Sequence, residues 1–141
     1  MNELSVLNST ISVRFAGRHE LLLRDWRCFY LQQSPSSAQP NRNLPEFWAV
    51  AMLDELARNE PDTAWLLILE LITQSLSDDA FGYLASGPLK YLIECHGPAF
   101  IERVEEEARS NPAFRRLVGG VCEISNAGIL ARVQELHDAA W

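Results

Sequence analysis

The stretch 86–100, SGPLKYLIECHGPAF, holds two Gly-Pro steps, Gly87-Pro88 and Gly97-Pro98. Glycine readily takes the positive φ that ends a helix, and proline suits the first turn of the next. Each step therefore reads as a stop followed by a restart. The expected result is a helix opened by Ser77-Asp78-Asp79 and closed at Gly87, a short one over 88–96, and a third from Pro98 to Ser110. In the first, a Ser or Asp oxygen caps free amides, and the acids suit the positive end of the dipole. Phe81 and Leu84 would face inward from it. Leu89, Leu92 and Ile93 do so from the second, and Phe100, Ile101, Val104 and Ala108 from the third.

The same reading extends in both directions. Asn111-Pro112 restarts the chain, with Phe114, Leu117, Val118 and Val121 inward; Ile129, Leu130, Val133 and Leu136 mark a last helix. Upstream, Glu60-Pro61-Asp62 opens a helix over 62–76. Trp65, Ile68, Leu69, Ile72 and Leu76 form its main stripe, and Leu66, Leu67 and Leu71 fill other faces. A helix apolar nearly all round is buried all round, so 62–76 is expected at the centre. Pro45 starts a helix whose stripe is Ala49, Met52, Leu53 and Leu56. The pattern Leu22, Trp26, Phe29, Tyr30 marks another from His19 to Gln33. The Pro- and Ser-rich run 34–45 reads as an exposed loop. In 1–18, the alternation of Ile11, Val13 and Phe15 suggests a short extended N-terminal arm. The fold class is thus all-α: a compact single-domain bundle of about seven to eight short helices around a central buried one.

The length of 141 residues suits one domain, and 48% apolar with 22% charged residues is ordinary for a folded chain. The longest apolar run, Ala64 to Leu69, falls far short of the roughly 20 residues that cross a bilayer. The first fifteen residues lack the basic start and apolar block of a secretory signal, so the expectation is a cytoplasmic protein with no membrane role. Cys28, Cys95 and Cys122 are scattered and show no metal or disulfide spacing; reduced, mostly buried thiols are expected. The net charge of −7 is unevenly spread. Up to Pro45 five arginines outnumber three acids, whereas from Glu46 onward sixteen acids outnumber seven basic residues. An acidic body argues against nucleic acid, whose phosphates are held by Lys and Arg, and favours a basic partner.

No pattern in the chain carries a reaction. His19, His96 and His137 are isolated, and adjacent Cys95 and His96 diverge by about 100° on a helix, so no metal site and no Cys–His pair is indicated. Gly119-Gly120 and the Gly-Pro corners lack the context of a phosphate loop. Asp54-Glu55 lies on the solvent side of the Met52–Leu53–Leu56 stripe, and Asp78-Asp79 is accounted for as a helix start. No cofactor is expected. Glu102, Glu105 and Glu106 share one outward face, partly neutralised by Arg109 four residues after Glu105. That face is either simply solvated or a patch for a basic partner. His96 is expected near a helix C-terminus, where an imidazole can bond free carbonyls.

From Trp48 to Val121 a further pattern is present: Leu53-Asp54-Glu55-Leu56, Ala64-Trp65, Leu84 through Gly87-Pro88-Leu89, then His96-Gly97-Pro98, Phe100-Ile101, Val104-Glu105 and Asn111-Pro112. Over 46–135 the chain resembles a small bacterial family known as a domain of unknown function. Lys90 stands where that pattern has an acid, and Cys122 where it has Trp. The resemblance implies a helical, bacterial, cytoplasmic protein and no activity. It makes His96 and the Gly97-Pro98 corner the first place to look for a pocket.

These observations converge on a non-enzymatic protein-binding protein, most concretely an immunity protein that neutralises a cognate toxin with a basic surface. The expected contact residues are Glu102, Glu105 and Glu106, with Asp78 and Asp79 second. The alternative is a helical adaptor or self-associating subunit, a homodimer for instance, with the C-terminal helix and Trp141 as its interface. A ligand sensor or enzyme would need a pocket at His96.

Overall fold

The computed structural model describes residues 19–32, 44–74 and 76–137, and among them every regular element is helical. In chain order these are α1 (His19–Gln32), α2 (Phe47–Asn59), α3 (Pro61–Ile72), α4 (Asp78–Leu84), a π-helical turn (Ala85–Leu89), α5 (Lys90–Ser110), α6 (Pro112–Val118) and α7 (Ala127–His137). The 1–18 arm, Trp141 and nearly all of the 34–45 loop lie outside the described residues.

The buried side chains form one cluster to which every helix contributes. Helix α1 buries Leu22, Trp26 and Phe29 completely, at the i, i+4, i+7 spacing that its sequence shows. Against it lies α2, whose Ala49, Leu53, Leu56 and Ala57 are buried. Pro45 sits in the turn ahead of α2, and the helix starts two residues later, at Phe47. Trp65 packs its ring on Phe100 and Phe114, joining α3 to α5 and α6.

The local start signals act as expected. Ser77 accepts the Ala80 amide at 3.1 Å and Asn111 accepts that of Phe114 at 3.3 Å, each filling an orphan donor of a first turn. Pro61 and Pro112 occupy first-turn positions. Asn126 does the same for α7 through Ile129 N at 3.1 Å.

The two Gly-Pro steps behave differently from their sequence reading. Residues 78–110 run on without a break, so the helices expected at 77–86, 88–96 and 98–110 are one rod, and the described residues form six rods rather than seven to eight short helices. At the first step the backbone widens into the π turn, in which Lys90 N bonds Ala85 O, five residues back. A proline inside an α-helix would press on the carbonyl four residues before it; the wider turn makes room for Pro88 while keeping the axis continuous. At the second step only His96 leaves helical geometry, with φ −131° and ψ 20°, and α5 kinks there ahead of Pro98. A Cβ added to Gly97 would come within 3.3 Å of Ile129, so the glycine at this kink lets α7 approach closely.

Helix α3 is shorter than expected, ending at Ile72, and it is not surrounded. Thr63, Ala64, Trp65, Leu67, Ile68 and Leu71 are buried, but Leu66 is 37% exposed and Glu70 faces solvent. Helix α3 packs on α1, α2, the π turn, α5 and α6, while α5 packs on α2, α3, the π turn, α6 and α7, so neither alone is the hub.

Candidate functional site

The outward carboxylates expected to act together are divided among separate tasks. Glu105 is mostly covered and takes both ends of the Arg132 guanidinium, Nε to Oε2 at 2.9 Å and the second nitrogen to Oε1. This forked pair ties α5 to α7, and hydrogen bonding from Arg132 holds the Glu105 carboxyl below its ordinary range. Asp78 reaches Arg116 of α6 at 3.4 Å. Glu102, Glu106 and Asp79 are exposed. Glu106 lines a cleft of about 280 Å³ between α3 and α5, in which Arg103 meets Asp62 at 2.8 Å.

His96 is bonded into the fold. Its Nε2–H donates to Arg58 O at 2.7 Å, so the imidazole satisfies a carbonyl in the last turn of α2 rather than of its own helix. The same device recurs twice at the C-terminal end. His137 Nε2–H donates to Val118 O at 3.0 Å, at the end of α6, and Arg115 Nε donates to Leu136 O at 3.4 Å, at the end of α7. Three helix C-termini are thus capped from neighbouring helices. A further cleft of about 500 Å³ lies between the start of α5 and the 119–126 loop, lined by Lys90, Tyr91, Glu94, Glu123 and Leu130. His96 lines neither this cleft nor the one beside Glu106. Glu94 anchors the loop by accepting the Ser125 amide at 3.0 Å.

The thiols depart from expectation: Cys95 and Cys122 are exposed and Cys28 is half-buried. Among the described residues no group of three or more His, Cys, Asp or Glu side chains converges as a metal site would require.

One cluster escaped the sequence reading. Asp54 is half-buried, not solvent-facing, and its Oδ1 lies 3.6 Å from where a Cβ on Gly87 of the π turn would be. Tyr30 lies beside it, and the chain's other two tyrosines gather around Tyr30. Tyr30 stacks on Tyr83 with ring centres 4.7 Å apart, and the Arg58 guanidinium covers the Tyr91 ring at 4.2 Å. Burial pushes the Asp54 carboxyl up to about 6, against the opposing charge of Arg58 one turn further along α2. The Tyr30 hydroxyl is also pushed well above its ordinary range, first by burial, then by the charge of Asp54 and the two other tyrosines. A signal was present in the sequence: Tyr83, Gly87 and Tyr91 recur at intervals of four, which on a helix aligns two rings around a gap. What fills that gap comes from α2, which no local pattern reveals.

A helical acidic chain, widened at a π turn beside a half-buried carboxylate and three tyrosines, is the class that this geometry defines. The chain belongs to a family of unknown function (DUF6869), whose profile matches residues 36–141. That match begins after α1, yet Leu22, Trp26 and Phe29 of α1 are wholly enclosed by the matched helices, so the physical unit extends at least to His19. No curated protein and no solved structure matches the chain. None of the described helices is long and apolar enough to cross a membrane.

Proposed function

We propose that this chain is a protein-binding protein without catalytic activity of its own, most concretely a bacterial cytoplasmic immunity protein that neutralises a cognate toxin. Such a protein acts as a stoichiometric plug, laying carboxylates against the basic channel that the toxin uses for its substrate. The observation that supports this is the charge along the outer side of α5. There Glu102, Glu106 and Glu107 are joined by Glu135 of α7, while Arg103 and Arg132 are drawn to Asp62 and Glu105. With those two cations paired, Glu102, Glu106, Glu107 and Glu135 outnumber the remaining Arg109 and leave surplus negative charge, the arrangement that speeds and orients association with a basic surface. Glu105 acts here by fixing α7 beside α5, so the contact residues reduce to Glu102 and Glu106, with Asp79 further off.

The test is to read the genes flanking that of this chain and co-express it with any toxin encoded there. Growth rescue and a complex on size exclusion are expected, both weakened by the double variant Glu102→Lys/Glu106→Lys. Neither rescue nor complex with the native chain would end the proposal. The alternative role, an adaptor or self-associating subunit built on the C-terminal helix, has to work without Ile129 and Val133, which α7 buries inside the bundle. Sedimentation of the native chain as a dimer would favour it.

A further inference from the structure

Helix α3 carries apolar residues on nearly every side, and the bundle covers all but the strip that holds Leu66 and Glu70. Leu66 is 37% exposed and is one of two large hydrophobic side chains exposed among the described residues. It stands on a ridge between two grooves, lining both. One is the cleft shared with α5, floored by Trp65. The other, about 340 Å³, separates α3 from the start of α1, and Leu23 and Leu67 form its apolar wall. The second groove also holds Thr63, 2% exposed, whose Oγ1 is buried without a hydrogen-bond partner. That hydroxyl is closed off from the groove space, so what marks the groove is its apolar wall and the charge around it.

The rim of this face is acidic. Glu20 and Glu70 border the α1 groove, and Asp62, Glu106 and Glu107 border the α5 groove; the one guanidinium among them, Arg103, is held by Asp62. We propose that the α3 ridge is a docking surface for a basic amphipathic helix of a partner protein, which buries apolar side chains around Leu66 and sets Lys or Arg against Glu20, Glu70 and Glu106. With 12 residues, α3 offers a ridge about 18 Å long, enough for three turns of a helix lying alongside it. A second copy of this chain fits poorly, because a two-fold contact centred on Leu66 would bring each acidic rim onto its own image. The proposal rests on the reading that the chain binds a basic protein partner, and it places the centre of that contact on α3, with Glu106 at its edge.

The experiment uses the full chain and a fluorescein-labelled 18-residue peptide of Leu and Lys patterned as an amphipathic helix, with a Leu/Glu peptide of the same pattern as control. Fluorescence anisotropy should show binding of the Lys peptide alone, weakening as salt rises. Leu66→Lys and the pair Glu20→Lys/Glu70→Lys should each weaken it tenfold or more, and Glu102→Lys, which lines neither groove, less than twofold. Because Leu66 is already exposed, Leu66→Lys should leave the thermal midpoint of the free chain nearly unchanged.

The failures separate. Binding lost in Glu102→Lys but kept in Leu66→Lys overturns the α3 surface while leaving a basic partner in place. No binding of either peptide overturns both. A thermal midpoint lowered by several degrees in Leu66→Lys means that the chain's own residues cover Leu66, and this too overturns the proposal.

Discussion

Two carboxylates at opposite ends of the rod 78–110 meet opposite fates. Asp54 reaches the π turn from α2 and is half-buried beside Tyr30, so its proton is held up to about pH 6. Glu105, near the other end, meets a guanidinium from α7 and stays ionised well below the usual range. One acid is taken from water without a hydrogen-bonded partner; the other keeps a strong one at the surface. The bundle therefore has a tension point where its rod is widened and a clamp where it is straight. The difference shows that burial and pairing, not residue type, decide what an acid does in this fold.

The strongest way to break the comparison is Asp54→Asn. In an unfolded chain Asp54 ionises near its ordinary 3.8, and in the fold near 6, so the folded state binds the proton more tightly. Between these values the unfolded form gains charge that the fold resists, and stability falls as pH rises from about 4 to about 6, then levels off. By this linkage the isosteric amide should raise stability at pH 7.5 by about 2 kcal/mol and flatten that part of the pH profile. Urea unfolding at a series of pH values measures both effects; an unchanged slope would show that Asp54 is not the group responsible.

Next in size is Gly120→Ala. A Cβ there would lie 2.8 Å from that of Ala85, the first residue of the π turn, so the loop after α6 is pressed against the tension point. Overpacking should cost about 1–3 kcal/mol. Pairing the change with Ala85→Gly should recover most of the loss, and a double-mutant cycle that proves additive would refute the contact.

His96→Ala should cost about 1 kcal/mol, since it leaves the Arg58 carbonyl without its cap at the kink. Amide exchange in the last turn of α2 should rise with it, while that of α6, capped by His137, stays unchanged. The smallest effect belongs to the clamp. Arg132 is partly exposed, so Glu105→Gln should lower the thermal midpoint only slightly, and high salt should erase the difference from the native chain. Its pH signature is opposite to that of Asp54: the depressed Glu105 contributes above its unfolded pKa and is lost as pH falls through the folded one.

What could be read from the sequence is what a few neighbouring residues settle. Ser77 and Asn111 cap because a short side chain beside a first turn has no competitor for its amides. The spacing of Leu22, Trp26 and Phe29 puts one side of α1 inward wherever the helix lies. Propensity, periodicity and capping act within a turn or two, so the all-α class and most helix bounds follow from them. The Gly-Pro steps misled for a related reason. Their stop signal is real, but α2, the 119–126 loop and α7 pack on the segment and hold it as one rod, through a π turn at Gly87 and a kink at His96.

The candidate sites depended on residues far apart in the chain. Glu105 meets Arg132 twenty-seven residues later, His96 meets Arg58 thirty-eight residues earlier, and Asp54 lies beside Tyr30, twenty-four residues before it. Sequence by itself determined that this chain is helical, acidic and striped with enough apolar surface to fold. Only the tertiary structure decided which acids are spent on holding it together, which one is buried at the π turn, and that Leu66 is left facing out. Those outcomes depend on which helix covers which face, and that is set by the packing of the whole bundle.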